Sequence, residues 1–555
     1  MSRIKTALST SVFAALATGF SNNLAHAEHP GLQLAAEAAA STVLHAGKTS
    51  AKPGLVLASA ALRGTLNPVE HARKAEEKVE HVSLVLVGDT GFAPSGMRPS
   101  PAYVYKHGRK LTFAQSTAKI APHIDGDINF SNLETVVSSN GKLRKWPKKY
   151  VFMTHPNGVK HLIDRGFNMF SMANNHTYDH GKQGVLDSIR HMNAFRDKYG
   201  VTHAGIGLNN DGAAATPVRK VKGMSFAFGA IGIGAASGGV QRAKNANPGQ
   251  LNLNSAKDKA KITANLKRAE ADYRILSVHR GPERYIRPTA HEVASVRNEL
   301  VDPGDVDLLI GHHAHVTRGL ELRNGRLIVY GLGNFLHNGT ANMGGKGGCR
   351  DYSIVVKAHL VRKGGDKPKL AALEVLPITA THVQPRLLPP RQAARRIAIM
   401  NGLAAQFDRP AQGSSGIRLT ARRDGTGLFC TAEAQTHAST RALCRGYEDV
   451  AIPQNANFSR AVSTCGRHGA ATIMAGLNGA RKQTVSNAKV QKAAVSSGAK
   501  TKPKARKRRG GTVIAPKGET YAQKRARWKR KEYTAEEVAA WKRYVARKKR
   551  RRRGS

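Results

Sequence analysis

Between residues 82 and 330 seven short aliphatic runs recur, and nearly every one stops at a polar cluster able to do chemistry. The first, Val82-Ser83-Leu84-Val85-Leu86-Val87, has the continuous apolar character of a strand buried on both faces, and it ends at Gly88-Asp89. The others are Ile128-Asn129-Phe130, Met169-Phe170-Ser171-Met172, Phe226 to Ile231, Tyr273 to Val278, Val306 to Ile310 and Leu327 to Tyr330. Stretches with helical spacing lie between them, at residues 158–165, 184–199, 256–271 and 289–300. Strand alternating with helix over about 280 residues predicts a layered α/β domain whose central strands are enclosed by helices. In such sheets functional sites form in the loops after the strands.

The chain's 555 residues exceed one typical domain, so a globular unit with appended segments is expected, and an apolar share of 40% is enough for a core. Its first 27 residues read as a secretory signal. Arg3 and Lys5 supply the basic start, Thr6 to Phe20 the apolar stretch, and Ala25-His26-Ala27 the cleavage site. No later apolar run approaches the roughly 20 residues of a membrane span, so the mature chain is expected in the periplasm or at the envelope surface. Residues 28–80 are an Ala-rich lead-in, and the domain proper is predicted over residues 81–385.

Residues 386–480 read as a small extension holding a helix at 391–407 and Cys430, Cys444 and Cys465. With Cys349 these make four cysteines, which in an exported chain permit two disulfides in three connectivities. None has C-x-x-C spacing, which disfavours a structural zinc site.

Residues 481–555 carry 27 Lys and Arg against 4 Glu, within a chain of formal net charge +51. Such a tail is predicted to be mostly disordered and to seek an anionic partner. Trp528, Tyr533, Trp541 and Tyr544 interleave with the charges. Export favours anionic lipid, lipopolysaccharide phosphate or an acidic capsule polymer over nucleic acid, and aromatics beside basic residues suit a membrane interface.

Taken in order, the strand ends present Asp89, Asn132-Leu133-Glu134, Asn174-Asn175-His176, His279 and Gly311-His312-His313-Ala314-His315. Carboxylates, an amide and imidazoles delivered to one sheet edge are a transition-metal ligand set, suited to one or two ions of manganese, zinc or iron. Gly331 to Asn334 reads as turn chemistry.

These blocks resemble the CapA family of capsule and poly-γ-glutamate synthesis proteins. The resemblance rests on Gly88-Asp89, Asn132-Leu133-Glu134, Asn174-Asn175-His176 with Asp179 and Gly181, and His279-Arg280-Gly281-Pro282-Glu283. Gly311-His312-His313-Ala314-His315-Val316 and Tyr330-Gly331-Leu332-Gly333-Asn334-Phe335 complete it. It implies a metallo-dependent phosphatase fold, a β-sandwich flanked by helices with the metals at its edge. Asp89 would bind one ion, Glu134 would bridge, Asn175 and His279 would bind the second, and His313 and His315 would divide between them, with His312 the alternative to His313. His176 would donate a proton to the leaving group, oriented by Asp179.

Three positions depart from the pattern. Ordinary calcineurin-like enzymes carry a His two residues after the first Asp, where this chain has Gly91. Arg280 replaces the family's usual aromatic, and Arg284 follows Glu283. Arg280, Glu283 and Arg284 are therefore candidate contacts to a phosphate or polycarboxylate. Ala314, where the family often has Pro, is neutral. Two functions follow: a metal-dependent phosphoesterase-type hydrolase acting on an anionic envelope polymer or its phosphorylated precursor, or a non-catalytic assembly or export factor that keeps the metal fold to bind a polyanion.

Overall fold

The computed structural model describes residues 78–106, 108–233, 247–342, 350 and 352–449. All seven aliphatic runs overlap strands, and the first extends over Val79–Gly91. Alternation explains its composition. Leu84 and Leu86 point into one hydrophobic cluster, and Val85 and Val87 into another on the opposite face, so neither set is free to be polar.

The described strands form two principal sheets. The larger has Thr420–Ala421, Gly427–Cys430, Lys369–Thr379, Ser353–Lys363, Val79–Gly91, Ile128–Leu133, Met169–Ser171 and Thr202–Ala204 in that order. Asn334–His337 also pairs with Val79–Gly91, and Arg386–Leu387 with Lys369–Thr379. The second runs Ser414–Gly416, Leu320–Arg323, Arg326–Val329, Leu308–His312, Tyr273–His279, Met224–Gly232 and Val218–Val221.

The two sheets share one core. Leu84, Leu86, Phe130 and Met169 of the first meet Phe226, Phe228, Ile275 and Ile310 of the second, with the Phe130 and Phe228 rings edge-on at 5.8 Å. Each such side chain, fully buried, contributes about 1.5–3 kcal/mol. On the outer faces, Pro156–Asp164 and Gly181–Tyr199 cover the first sheet through Val159, Leu162 and Met192. Ala256–Arg268 covers the second through Ile262 and Leu266. The architecture is the helix-flanked β-sandwich expected.

Direction places the site. Val79–Gly91 runs parallel to Ile128–Leu133, which runs parallel to Met169–Ser171. In the second sheet Met224–Gly232, Tyr273–His279 and Leu308–His312 are likewise parallel. Their carboxyl ends therefore converge, with Asp89 level with Asn132 and His279 level with His312.

The segment after residue 385 adds strands to both sheets. Ser414–Gly416 pairs with Leu320–Arg323, Gly427–Cys430 pairs with Lys369–Thr379, and helix Pro390–Ala404 buries Ile397, Met400 and Leu403 in the shared core. Cys430 and Cys444 form a disulfide. Cys349, Cys465, the signal segment and the basic tail lie outside the described residues. Among the described residues no helix is long and apolar enough to cross a membrane.

Candidate metal centre

Asp89 ends its strand where the backbone is pressed against a neighbouring loop. A Cβ on Gly88 would stand 1.8 Å from the Gly333 carbonyl oxygen, so glycine is required there, and the Asp89 N–H donates to that same oxygen at 3.1 Å. The Asn132 amide donates to Asp89 Oδ1 at 2.7 Å and orients it.

Glu134 follows the next strand and is fully buried, yet neither carboxylate oxygen receives a hydrogen bond among the described residues. Imidazole nitrogens surround it instead: His337 Nε2 at 3.2 Å, His279 Nε2 at 3.4 Å, and His315 Nδ1 and His176 Nε2 each at 3.8 Å. His279 Nε2 also meets Asn175 Oδ1 at 2.8 Å and His313 Nδ1 at 3.1 Å. His315 Nδ1 lies 2.8 Å from Asn334 Oδ1 and 3.2 Å from Asp89 Oδ2.

Two overlapping sets emerge, Glu134 with His279 and His313, and Asp89 with Glu134 and His315. Within each, the ligand atoms lie within 4.8 Å of one another. Two buried carboxylates beside convergent nitrogens, with both oxygens of Glu134 unmatched among the described residues and Glu134 common to both sets, fit divalent cations. The fit extends to the backbone. His313 and His315 have φ of +85° and +55°, each costing about 1–3 kcal/mol in a residue with a Cβ, and the left-handed turns aim both rings inward.

Electrostatics follow the same division. Burial pushes the Glu134 carboxyl up, but His315, His279 and His337 more than reverse this and hold it well below the usual range. Burial likewise depresses His315, and Glu134 and Asp89 override it, raising the imidazole to about 10. His313 is held well below its ordinary value by burial and by its histidine neighbours. His312 is pushed down to about 4 by burial. Its ring stacks on Phe130 with Nδ1 3.7 Å from Asp89, so of the adjacent pair His313 is the one that joins a candidate ligand set.

His176 and Asp179 flank this cluster. Asp179 Oδ2 accepts from His176 Nδ1 at 2.7 Å, which leaves Nε2 facing Glu134. Burial depresses His176 below its ordinary value against the pull of Asp179. Lys148, which motif reading passed over, pairs with Asp179 and donates to the Asn175 carbonyl at 2.7 Å, binding both ends of the Asn174 to Asp179 loop.

The three candidate substrate contacts separate. Glu283 is exposed and close enough to His315 to raise its proton affinity. Arg284, also exposed, adopts φ +64° and donates its N–H to the Ala314 carbonyl at 2.7 Å. Arg280 is half-buried, and burial and the Arg318 charge depress its pKa against the pull of Glu292 and Tyr330. Arg280 lies just past the end of strand Tyr273–His279, where its N–H donates to the His312 carbonyl at 3.3 Å. Asn334, read as turn chemistry, contacts His315 directly, and Gly333 beside it takes φ +77°.

Residues 83–339 match the family described as bacterial capsule synthesis protein PGA_cap. This region of the chain is similar to that family. The PGA_cap match encloses every residue of the cluster, from Asp89 to His337. The poly-γ-glutamate (PGA) biosynthesis protein CapA of Bacillus subtilis (strain 168) is 27% identical over 266 residues, 48% of this chain and 66% of that protein. The capsule biosynthesis protein CapA of Bacillus anthracis is 26% identical over 325 residues, 58% of this chain and 71% of that one. A solved structure described as a putative 5′-nucleotidase from Staphylococcus aureus, in complex with α-ketoglutarate, aligns over 54% of each chain at 13% identity with a TM-score of 0.33.

Proposed function

We propose that this chain is a capsule synthesis protein and an exported, metal-dependent phosphoesterase-type hydrolase acting on an anionic envelope polymer or its phosphorylated precursor. The observation that carries the reading is the His176–Asp179 pair set beside the Asp89, Glu134, Asn175, His279, His313 and His315 cluster. A bound divalent ion would supply a coordinated water of lowered pKa and Lewis-acid stabilisation of phosphoryl oxygens. Asp89, Glu134, Asn175, His279, His313 and His315 would hold it. His176, whose Nδ1–H is donated to Asp179, turns Nε2 toward the cluster, where in its imidazolium form it would hand a proton to a leaving oxygen. Lys148 keeps that dyad in place.

A second reading is favoured by the charge of residues 481–555 and by Gly91, which removes one possible ligand. In it the chain is a non-catalytic factor that binds a polyanion, and the tail docks on anionic lipid, lipopolysaccharide or capsule polymer. Elemental analysis of the purified protein and of His315→Ala, with hydrolysis of a chromogenic phosphodiester in manganese, zinc and iron, separates the two. Metal that is lost in the variant and required for turnover supports the hydrolase. Metal without turnover supports the binding factor, and no metal in any preparation overturns the site.

A further inference from the structure

His337 lies beyond the family-like motif Tyr330 to Phe335, on strand Asn334–His337, fully buried. Two observations bear on its role. Its Nδ1 accepts a hydrogen bond from the Gly339 N–H at 3.1 Å. An imidazole nitrogen that accepts carries no proton, so the neutral ring holds its hydrogen on Nε2. That Nε2 lies 3.2 Å from Glu134 Oε2, and among the described residues neither atom has a hydrogen bond in this geometry, so a small turn of either side chain would complete one.

Gly91 explains how the ring fits. In the parallel pairing of Val79–Gly91 with Asn334–His337, Gly91 is level with His337. A Cβ on Gly91 would sit 3.6 and 3.7 Å from Cε1 and Nε2 of the His337 ring, and 3.8 Å from the Glu134 carbonyl oxygen. The volume a longer side chain at 91 would enter is the volume the His337 imidazole occupies. Phe152 closes the ring from a further side, edge-on at 4.9 Å.

We infer that His337 is a positioning residue for the metal centre: its Nε2–H holds the Glu134 carboxylate in the orientation needed to serve both ligand sets, from the space that Gly91 leaves open. The role is not that of a ligand, because Nε2 offers a proton and not a lone pair. Such an outer partner fixes the angle of the ligating oxygen, and its removal typically weakens metal affinity by about 10- to 100-fold. The inference rests on the metal-binding reading of Glu134, and it makes a claim about the metal-free protein that can be judged separately.

The experiment combines manganese and zinc titration calorimetry on the full mature chain with nitrogen-15 NMR of the histidine rings in chelator. In the metal-free parent, His337 should show a protonated Nε2 and an unprotonated Nδ1. His337→Phe, which keeps a planar ring against Phe152, should weaken affinity by about 10-fold or more with unchanged stoichiometry. His337→Gln, which restores a donor toward Glu134, should recover most of that loss. Melting in chelator checks that both variants fold. A proton on Nδ1, unchanged affinity in His337→Phe, or a lost ion in both variants each overturns the proposal. Should the parent bind no metal at all, the metal reading falls, and the ring tautomer still decides whether His337 is built as a donor to Glu134.

Discussion

His279 and His313 meet through ring nitrogens only 3.1 Å apart, and His279 Nε2 is at the same time 2.8 Å from the Asn175 oxygen and 3.4 Å from Glu134. One imidazole nitrogen offers a single proton, so three acceptors around it cannot all be satisfied by hydrogen bonding. A cation would satisfy them together. His279→Ala and His313→Ala should each remove bound metal, and the double variant should lose little more than either, because residues of one site act as a unit. Arg280→Ala, although adjacent to His279, should retain metal, since Arg280 belongs to neither ligand set and the carboxylate that acts on it is Glu292. Elemental analysis of the four proteins tests this.

Lys148 faces a fully buried Asp179 and is itself almost enclosed. Removing one partner of a buried ion pair leaves the other uncompensated, at a cost of about 3–5 kcal/mol. Lys148→Met should therefore lower the urea midpoint markedly and, under the hydrolase reading, reduce turnover by about 10-fold or more as the His176–Asp179 geometry relaxes. Metal stoichiometry should hold, because Lys148 contacts the Asn175 carbonyl and not its amide. Loss of metal together with turnover would show that Lys148 supports the ligands instead.

Much of this site was legible because parallel strands put chemistry at their ends. Asp89, Glu134, Asn175, His279, His313 and His315 each follow an apolar run, so local pattern and topology point the same way. Lys148, Asn334 and His337 were missed for different reasons. Lys148 follows no buried strand and is connected to Asp179 only by folding. Asn334 and His337 belong to a strand of four residues, too short for periodicity to show, which gains meaning by pairing with Val79–Gly91. The contribution of residues 386–449 to both sheets was hidden likewise, since Ser414–Gly416 is three residues long and its partner lies about ninety residues away. A signal for His337 did exist in the sequence: a His two positions after Phe335, on a segment bound to approach Asp89.

The contact between Gly88 and the Gly333 carbonyl sets the position of Asp89. Gly88→Ala would force a Cβ to within 1.8 Å of that oxygen, and backbone cannot yield as a flexible side chain does. The expected outcome is a destabilisation of about 3 kcal/mol, with metal affinity lost because Asp89 moves with its strand. Gly365→Ala is the control, since nothing lies within 4 Å of a Cβ there, and it should stay within about 0.5 kcal/mol of the parent. Denaturant melts of both variants in chelator and in manganese separate the fold effect from the metal effect.

Outside the candidate metal centre, Glu374 joins Arg422 at 2.6 Å and His359 at 3.2 Å, linking the central hairpin Ser353–Lys363 and Lys369–Thr379 to the segment after Thr420–Ala421. Burial pushes this carboxyl up, but His359 and Arg422 outweigh it and hold it at about 2, against 4.5 for the unperturbed group. A carboxyl whose folded value is depressed stabilises the fold above its unfolded value and loses that contribution as pH falls through the folded one. The stabilisation is thus full above pH 4.5 and disappears toward pH 2. Glu374→Gln should be less stable than the parent by on the order of 2 kcal/mol at pH 7. The gap should narrow steadily between pH 4.5 and pH 2, because acid neutralises in the parent what the substitution has already removed. Urea midpoints across this range measure it, and a gap independent of pH would mean that Glu374 acts through packing and not through its charge.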